Sequence, residues 1–335
     1  MKIQTWFKST FTFIWLSVFA LPVLSENLGS LDGRETSLID IAGYEVPVLK
    51  NGLYDRFRSN PPLNLIQRID PSLDLSWFET LEKKRLDMGF ESYSPNFYYR
   101  NSRITAVFTA NIDVLKSLMP EKVLQQVQPL QIWPGRGVVA ITAYSYYYCD
   151  NDAYNEVAIS VVTNKPNTTS FGPLTLALQS FNSDYWGYVL KLPVNTELAK
   201  VRGVVGYNLP KWLTRIDSFD HEQHVQYDIY DEKSGLIDIS FRASKLTDLT
   251  TEVHMTRNSF VNLDHASNLI SGYADARQLQ YAETRDDAAV DLVLSEQGAL
   301  SQFIKGLELG SLLKYEYVPH FQLALYAPAT LTVSE

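Results

Sequence analysis

Cysteine is almost absent: Cys149 is the only one in 335 residues. That excludes an internal disulfide and any cysteine-rich zinc or iron–sulfur centre. Histidine is scarce as well, with five in all, which leaves little for a Ser–His nucleophile or a histidine-ligated metal. A basic surplus is missing. Lys plus Arg number 29 against 38 Asp plus Glu, a net charge of −9. Nucleic acid is therefore not an expected partner, because phosphates would find no electrostatic footprint. The chain also lacks a G-x-S-x-G elbow, a P-loop, a G-x-G-x-x-G turn and an H-E-x-x-H helix. There is no fixed-period repeat. After residue 25 no apolar run is long enough to span a bilayer as a helix.

What is present suits a folded globular protein. Hydrophobic residues make up 45% and aromatics 13%, enough to build a core and to exclude disorder as the main state. Residues 1–25 form an address. Lys2 and Lys8 give a positive start, Phe11 to Leu24 is apolar, and Val23 and Ser25 are small. This pattern is that of a secretory signal peptide cleaved near Ser25, so the mature protein is expected to be exported, periplasmic or extracellular. Cys149 closes a Tyr-rich run and reads as a small buried thiol.

Residues 26–96 read as an N-terminal extension with one helix, expected at about 73–88. Pro71 and Ser72 precede it, Gly89 follows it, Glu79 and Lys83 stand four apart, and Trp77, Phe78 and Leu81 would face a core. From residue 97 the pattern changes to strands. Ile104, Ala106 and Phe108 alternate with Thr105, Val107 and Thr109. A short helix follows, capped by Asn111, with Val114, Leu115 and Leu118 as its apolar face and Pro120 as its stop. Val138–Tyr148 and Val157–Thr163 read as strands. Residues 225–241 read as a hairpin turning at Asp231–Gly235. Leu312–Val318 and Phe321–Tyr326 read as a closing pair broken by Pro319. The class is β-rich α+β, a barrel or sandwich with few short helices.

Two segments stand out chemically. His221 and His224 form an H-x-x-H pair, but in a polar stretch that reads as a solvated loop; no metal site is expected. In Val201–Trp212, VRGVVGYNLPKW, Lys211 follows a proline among Tyr207, Leu209, Trp212 and Leu213. Burial disfavours the charged form of a lysine, and a neutral amine can attack a carbonyl to form a Schiff base. The bland alternative is a surface lysine with a buried stem.

The segment resembles the Gly…Tyr/Phe-Pro-Lys motif of the acetoacetate decarboxylase-like family. Further stretches are similar in the same order: Ile104–Pro120 (ITAVFTANIDVLKSLMP) to that family's opening strand and helix, and Tyr154-Asn155-Glu156 to its Tyr-x-Glu. Leu192–Gly203 is similar to the lead-in to the lysine motif, and Ile304–Tyr326 to the closing strands. The resemblance covers roughly residues 97–328, the expected domain. It implies a closed, cone-shaped β-barrel around an apolar pocket. It further implies Lys211 as the Schiff-base lysine and Glu156 as the active-site glutamate, with no metal or organic cofactor. The family's active-site arginine falls where Arg100 and Arg103 stand. Tyr154 and Trp212 complete the expected substrate-binding set.

The departures from the pattern are specific. Trp212 stands where the family has a second lysine, leaving burial to activate Lys211. Val204 and Val205 follow Gly203 where the family has Arg-Glu. Glu156 and Lys211 are 55 residues apart, longer than in the decarboxylase, so an insertion should reshape one wall. The leading expectation is an exported Schiff-base lyase acting on a β-keto acid or related small carbonyl compound, with self-association plausible from the family's oligomers. Two alternatives stand beside it. One is a non-catalytic small-molecule-binding barrel. The other is a secreted interaction protein using residues 26–96.

Overall fold

In a computed structural model of the chain, residues 28–332 are described. The signal-peptide expectation for residues 1–25 lies outside them. The extension contributes β1 (Thr36–Ile41), β2 (Tyr44–Leu49), α1 (Leu53–Phe57), α2 (Leu63–Ile69), α3 (Ser76–Glu79), β3 (Lys84–Asp87) and β4 (Glu91–Ser94). There follow β5 (Asn96–Asn111), α4 (Ile112–Ser117), α5 (Glu121–Leu124), β6 (Arg136–Cys149), β7 (Tyr154–Val162), α6 (Pro173–Asn182) and β8 (Asp184–Val194). Next come α7 (Glu197–Tyr207), β9 (Lys211–Leu213), β10 (Ile216–Asp220), β11 (His224–Tyr230), β12 (Ile237–Ser244), β13 (His254–Leu263) and β14 (Leu269–Thr284). The chain ends with β15 (Val290–Leu294), α8 (Ala299–Gly306), β16 (Leu312–Leu325) and β17 (Ala329–Thr330).

Seven strands close a barrel in the order β13-β14-β16-β5-β6-β7-β8. Closure comes from a parallel pairing of β8 with β13, Asp184–Gly187 against Arg257–Phe260. β9 and β17 pair onto the rim of this sheet. A second, four-stranded sheet runs β10-β11-β12-β15.

Side-chain alternation sorts the strands into two faces. Ile104, Ala106, Val139, Ile141, Ala143, Val157, Ile159 and Val161 form one buried cluster with Ile216, Tyr227, Ile229, Ile239 and Phe241 of the second sheet. The main core is therefore the layer between the barrel wall and that sheet. Residues of the other parity line a cavity instead. Val107 is registered with Ala140, and Ala140 with Ser160. Thr105 is registered with Thr142, and Thr142 with Ala158.

The sequence reading holds for α4, where the Asn111 side chain accepts from the amides of Asp113 and Val114. Its buried face is Ile112 and Leu115, however, while Leu118 is exposed. The hairpin at 231–235 is present, with Asp231 accepting from the amides of Lys233 and Ser234. Two expectations are corrected. The helix at 73–88 shrinks to one turn, Ser76–Glu79, and Lys84–Asp87 is a strand. Asp70 and Asp74 bind the amides and hydroxyls of Ser72 and Ser76, a local alternative to helix. Lys83 does not pair with Glu79; it reaches Asp150 at 2.5 Å. Residues 312–325 are one strand, not a pair, and the break at Pro319 is a register shift between Val318 and Phe321. Proline removes a ladder donor but is tolerated at such an irregularity.

The extension packs onto the barrel at the β6–β7 turn. Asp150 accepts from Lys83, the Phe97 amide and the Tyr99 hydroxyl. Ser59 donates to Asn151 at 3.0 Å, and the Leu53 amide to Asp152 at 2.9 Å, which anchors the start of α1. Ile39, Ile41, Val46 and Val48 pack against Leu198 and Val201 of α7.

Candidate functional site

α7 places the lysine. Thr196 caps it by accepting from the Ala199 amide, and Asn208 ends it in the left-handed region at φ 48°. The Asn208 side chain then donates to the Leu263 carbonyl of β13, and Asn262 donates to the Asn208 carbonyl. Pro210 follows, and β9 lies parallel to β8 with Lys211 opposite Leu192. Gly203 faces the lysine stem. A Cβ there would come within 2.3 Å of Lys211 Cδ and 2.6 Å of Cε. The glycine of the motif thus opens the path along which Lys211 crosses α7 into the barrel.

Inside, Lys211 Nζ lies 2.6 Å from Glu156 Oε2, and both side chains are less than a tenth exposed. Residues 55 positions apart in the sequence meet here as a buried ion pair. The second oxygen of Glu156 accepts from the Tyr146 hydroxyl at 3.3 Å. Tyr154 stands beside the amine, its ring centroid 5.6 Å from Nζ. Tyr98 and Tyr154 share a hydroxyl–hydroxyl contact of 3.1 Å. Burial pushes all three phenols well above the ordinary tyrosine value, followed in each case by nearby acidic groups, so they remain protonated donors.

A second ionic group sits higher on the wall. Arg103 Nη2 is 3.0 Å from Glu316, and Lys314 Nζ is 2.6 Å from the other Glu316 oxygen. Arg103 also donates to Thr105 at 3.0 Å. Burial alone would raise the Glu316 pKa, but Arg103 and Lys314 outweigh it and hold the carboxyl below the usual range. Lys314 is correspondingly held above an ordinary lysine, its desolvation outweighed chiefly by Glu316.

Both groups face a cavity of about 740 Å³. Among the described residues its charged lining is four cations, Arg103, Lys211, Arg285 and Lys314, against two anions, Glu156 and Glu316. An interior with surplus positive charge, in a chain of net charge −9, can attract an anion. The long spacing between Glu156 and Lys211 is taken up in part by α6, which adds Leu176, Ala177 and Ser180 to the lining.

Of the expected site residues, Lys211, Glu156, Tyr154 and Arg103 come together on this cavity. Arg100 does not. It lies outside, bound to Asp70 and Ser72, with its side chain 43% exposed. Trp212 does not line the cavity either. Adjacent strand residues face opposite ways, so Lys211 pointing in sends Trp212 out, against the outer core and Lys191. The expectation that Trp212 belongs to the substrate-binding set is thereby corrected: Tyr154, Leu192 and Leu209 share the cavity lining with Lys211 instead. The sequence reading missed Tyr144, Tyr146, Lys314 and Glu316. A signal existed, since Lys314 and Glu316 alternate with Tyr315 and Tyr317 along one strand, and the buried tyrosines pack toward the core.

Cys149 is buried, and burial pushes its thiol well up, which removes it as a nucleophile. His221 and His224 stack at 4.1 Å between rings on the β10–β11 turn. Among the described residues no group of His, Cys, Asp or Glu is placed to hold a metal ion.

No family model and no curated protein matches the chain. Solved structures do. One reported as acetoacetate decarboxylase is 12% identical, with 71% of this chain and 89% of that chain covered and a TM-score of 0.47. The acetoacetate decarboxylase of Legionella pneumophila is 12% identical over 71% and 87%, with a TM-score of 0.49. The enduracididine biosynthesis enzyme MppR, in complex with a condensation product of pyruvate and imidazole 4-carboxaldehyde, is 10% identical over 71% and 90%, with a TM-score of 0.48. The functional reading is carried by the site's own geometry.

Proposed function

We propose that the chain is a Schiff-base lyase acting on a β-keto acid or a closely related carbonyl acid. The single observation that carries this is the buried Lys211–Glu156 pair opening on a cation-rich cavity. Glu156, at 2.6 Å, is the base in reach to take the ammonium proton. The freed amine adds to the ketone carbonyl; a C–N bond forms, and water leaves to give an iminium. The bond between the carboxylate carbon and the α-carbon then breaks. Its electron pair moves into the enamine and carbon dioxide departs. Protonation of the α-carbon and hydrolysis return the amine and release a ketone.

Arg103 fits the role of carboxylate anchor. Together with Lys314 it presents two cations to one Glu316, which leaves charge to hold a substrate anion. The protonated Tyr146 keeps Glu156 oriented toward the amine. Export and self-association belong to the same proposal. N-terminal sequencing of the secreted protein should begin at Glu26.

One observation favours the second reading, a non-catalytic binder of small acids. The amine rests in an ion pair, and a protonated amine does not attack. Carbon dioxide release from β-keto acids separates the two. Lys211→Ala should abolish release above background, and Glu156→Gln should lower it by about 10²–10⁴-fold. A Lys211→Ala protein with the wild-type rate would overturn the lyase reading.

A further inference from the structure

The cavity is much larger than a four-carbon keto acid requires, and its two ends differ in kind. Along β7 the inward positions run from Glu156 through Ala158 and Ser160 to Val162, a span of about 20 Å at the rise of an extended strand. The Glu156 end is ionic and phenolic. Lys314, registered with Val107 and paired with Glu316, carries charge partway along this wall; toward the Val162 end Val107, Val162, Leu176 and Leu313 pack against the small buried cluster of Leu130, Ile132 and Val138. Trp186 lies along the same wall. The volume, about 740 Å³, falls in the range of roughly 300–1,000 Å³ that holds drug-sized ligands.

The rim continues the apolar character. α6 lies between β7 and β8, and Leu174, Leu178 and Phe181 on it are 58%, 51% and 86% exposed. Trp133, a lining residue, is 46% exposed. Among the described residues the charged lining is that already named, four cations and two anions, and none of it belongs to α6. A ligand complementary to this interior carries one anionic, carbonyl-bearing end and an extended apolar remainder.

From this we propose that the substrate is a β-keto acid with a long aliphatic or aromatic tail, its head at Lys211 and Arg103 and its tail running past Val107 and Val162 toward Leu176. This rests on the Schiff-base reading of the same site and names its substrate class. A short keto acid would leave the apolar half of the cavity unfilled and forgo the burial it offers.

The test is a chain-length series on the full mature protein: 3-oxobutanoate, 3-oxohexanoate and 3-oxodecanoate, each measured for carbon dioxide release and for borohydride trapping on Lys211. The expected result is kcat/KM rising by about two- to fourfold per added methylene. Ala140→Phe, which fills the cavity beside Val107 and Ser160, should cut the decanoate-to-butanoate ratio at least tenfold. Leu176→Trp on α6 serves as an independent obstruction should Ala140→Phe fail to fold. Equal kcat/KM across the series, or a folded pair of variants with an unchanged ratio, overturns the tail assignment while the lyase reading stands. Absence of any adduct or release at every length overturns the lyase reading itself.

Discussion

At the scale of single residues, the site depends on a glycine as much as on a lysine. Gly203 is the point where the Lys211 stem passes α7, and any side chain there meets Cδ and Cε of that stem. The lysine is flexible, so Gly203→Ala should fold, and alanine in a helix interior is favoured over glycine by about 1 kcal/mol. Parting the buried ion pair outweighs that helix gain, so thermal melting should show lowered stability, and turnover of β-keto acid falls at least tenfold because Nζ no longer meets Glu156. Unchanged turnover would mean that the stem's path is not what positions the amine. Lys211 and Glu156 were legible as single positions from the motif and from Tyr-x-Glu. Their contact was not, because a pairing across 55 residues is decided by how β7 and β9 flank β8.

Elements were legible where periodicity and caps agreed. Asn111 starts α4 as its side chain allows, and the 225–241 hairpin forms where Asp231–Gly235 turn. The extension was misread where local side-chain bonds and distant partners won. Asp70 and Asp74 hold their own serines, and Lys83 is drawn to Asp150 rather than along a helix. The same turn anchors α1 through Asp152, whose carboxylate takes the Leu53 amide at 2.9 Å. Burial raises the Asp152 pKa from the ordinary value to about 6, against the pull of those amides. The folded protein thus holds this proton more tightly than the unfolded chain, whose aspartate titrates near 3.8. Stability from this group is full below about pH 4 and is lost as pH rises through about 6. Asp152→Asn removes that loss. Relative to wild type the variant should gain on the order of 2 kcal/mol between pH 4 and pH 7 in urea melts. A difference that does not change with pH would contradict the role of the charge.

At the scale of the whole molecule, one alternation does two tasks. In β5, β6 and β7 one parity builds the core against the second sheet, and the other lines the cavity. The β-rich class and the closing of a barrel were expected from strand patterning and from the family resemblance. The parallel closure of β8 on β13 and the covering sheet were not, since both are non-local pairings that leave no mark on any single segment. The cation surplus of the cavity was equally hidden, because Arg103, Lys211, Arg285 and Lys314 are scattered along a chain whose net charge is −9.

The central claim is that Lys211, of the two cavity lysines, forms a covalent iminium with a keto acid. The most direct measurement is borohydride reduction in the presence of a β-keto acid, followed by peptide mass mapping. The expected result is one reduced adduct on the peptide containing Lys211, absent in Lys211→Ala. Lys314, whose ammonium Glu316 holds above the ordinary lysine value despite its burial, should stay unmodified. An adduct on Lys314 alone, or none while the acid is shown to bind, would contradict the claim.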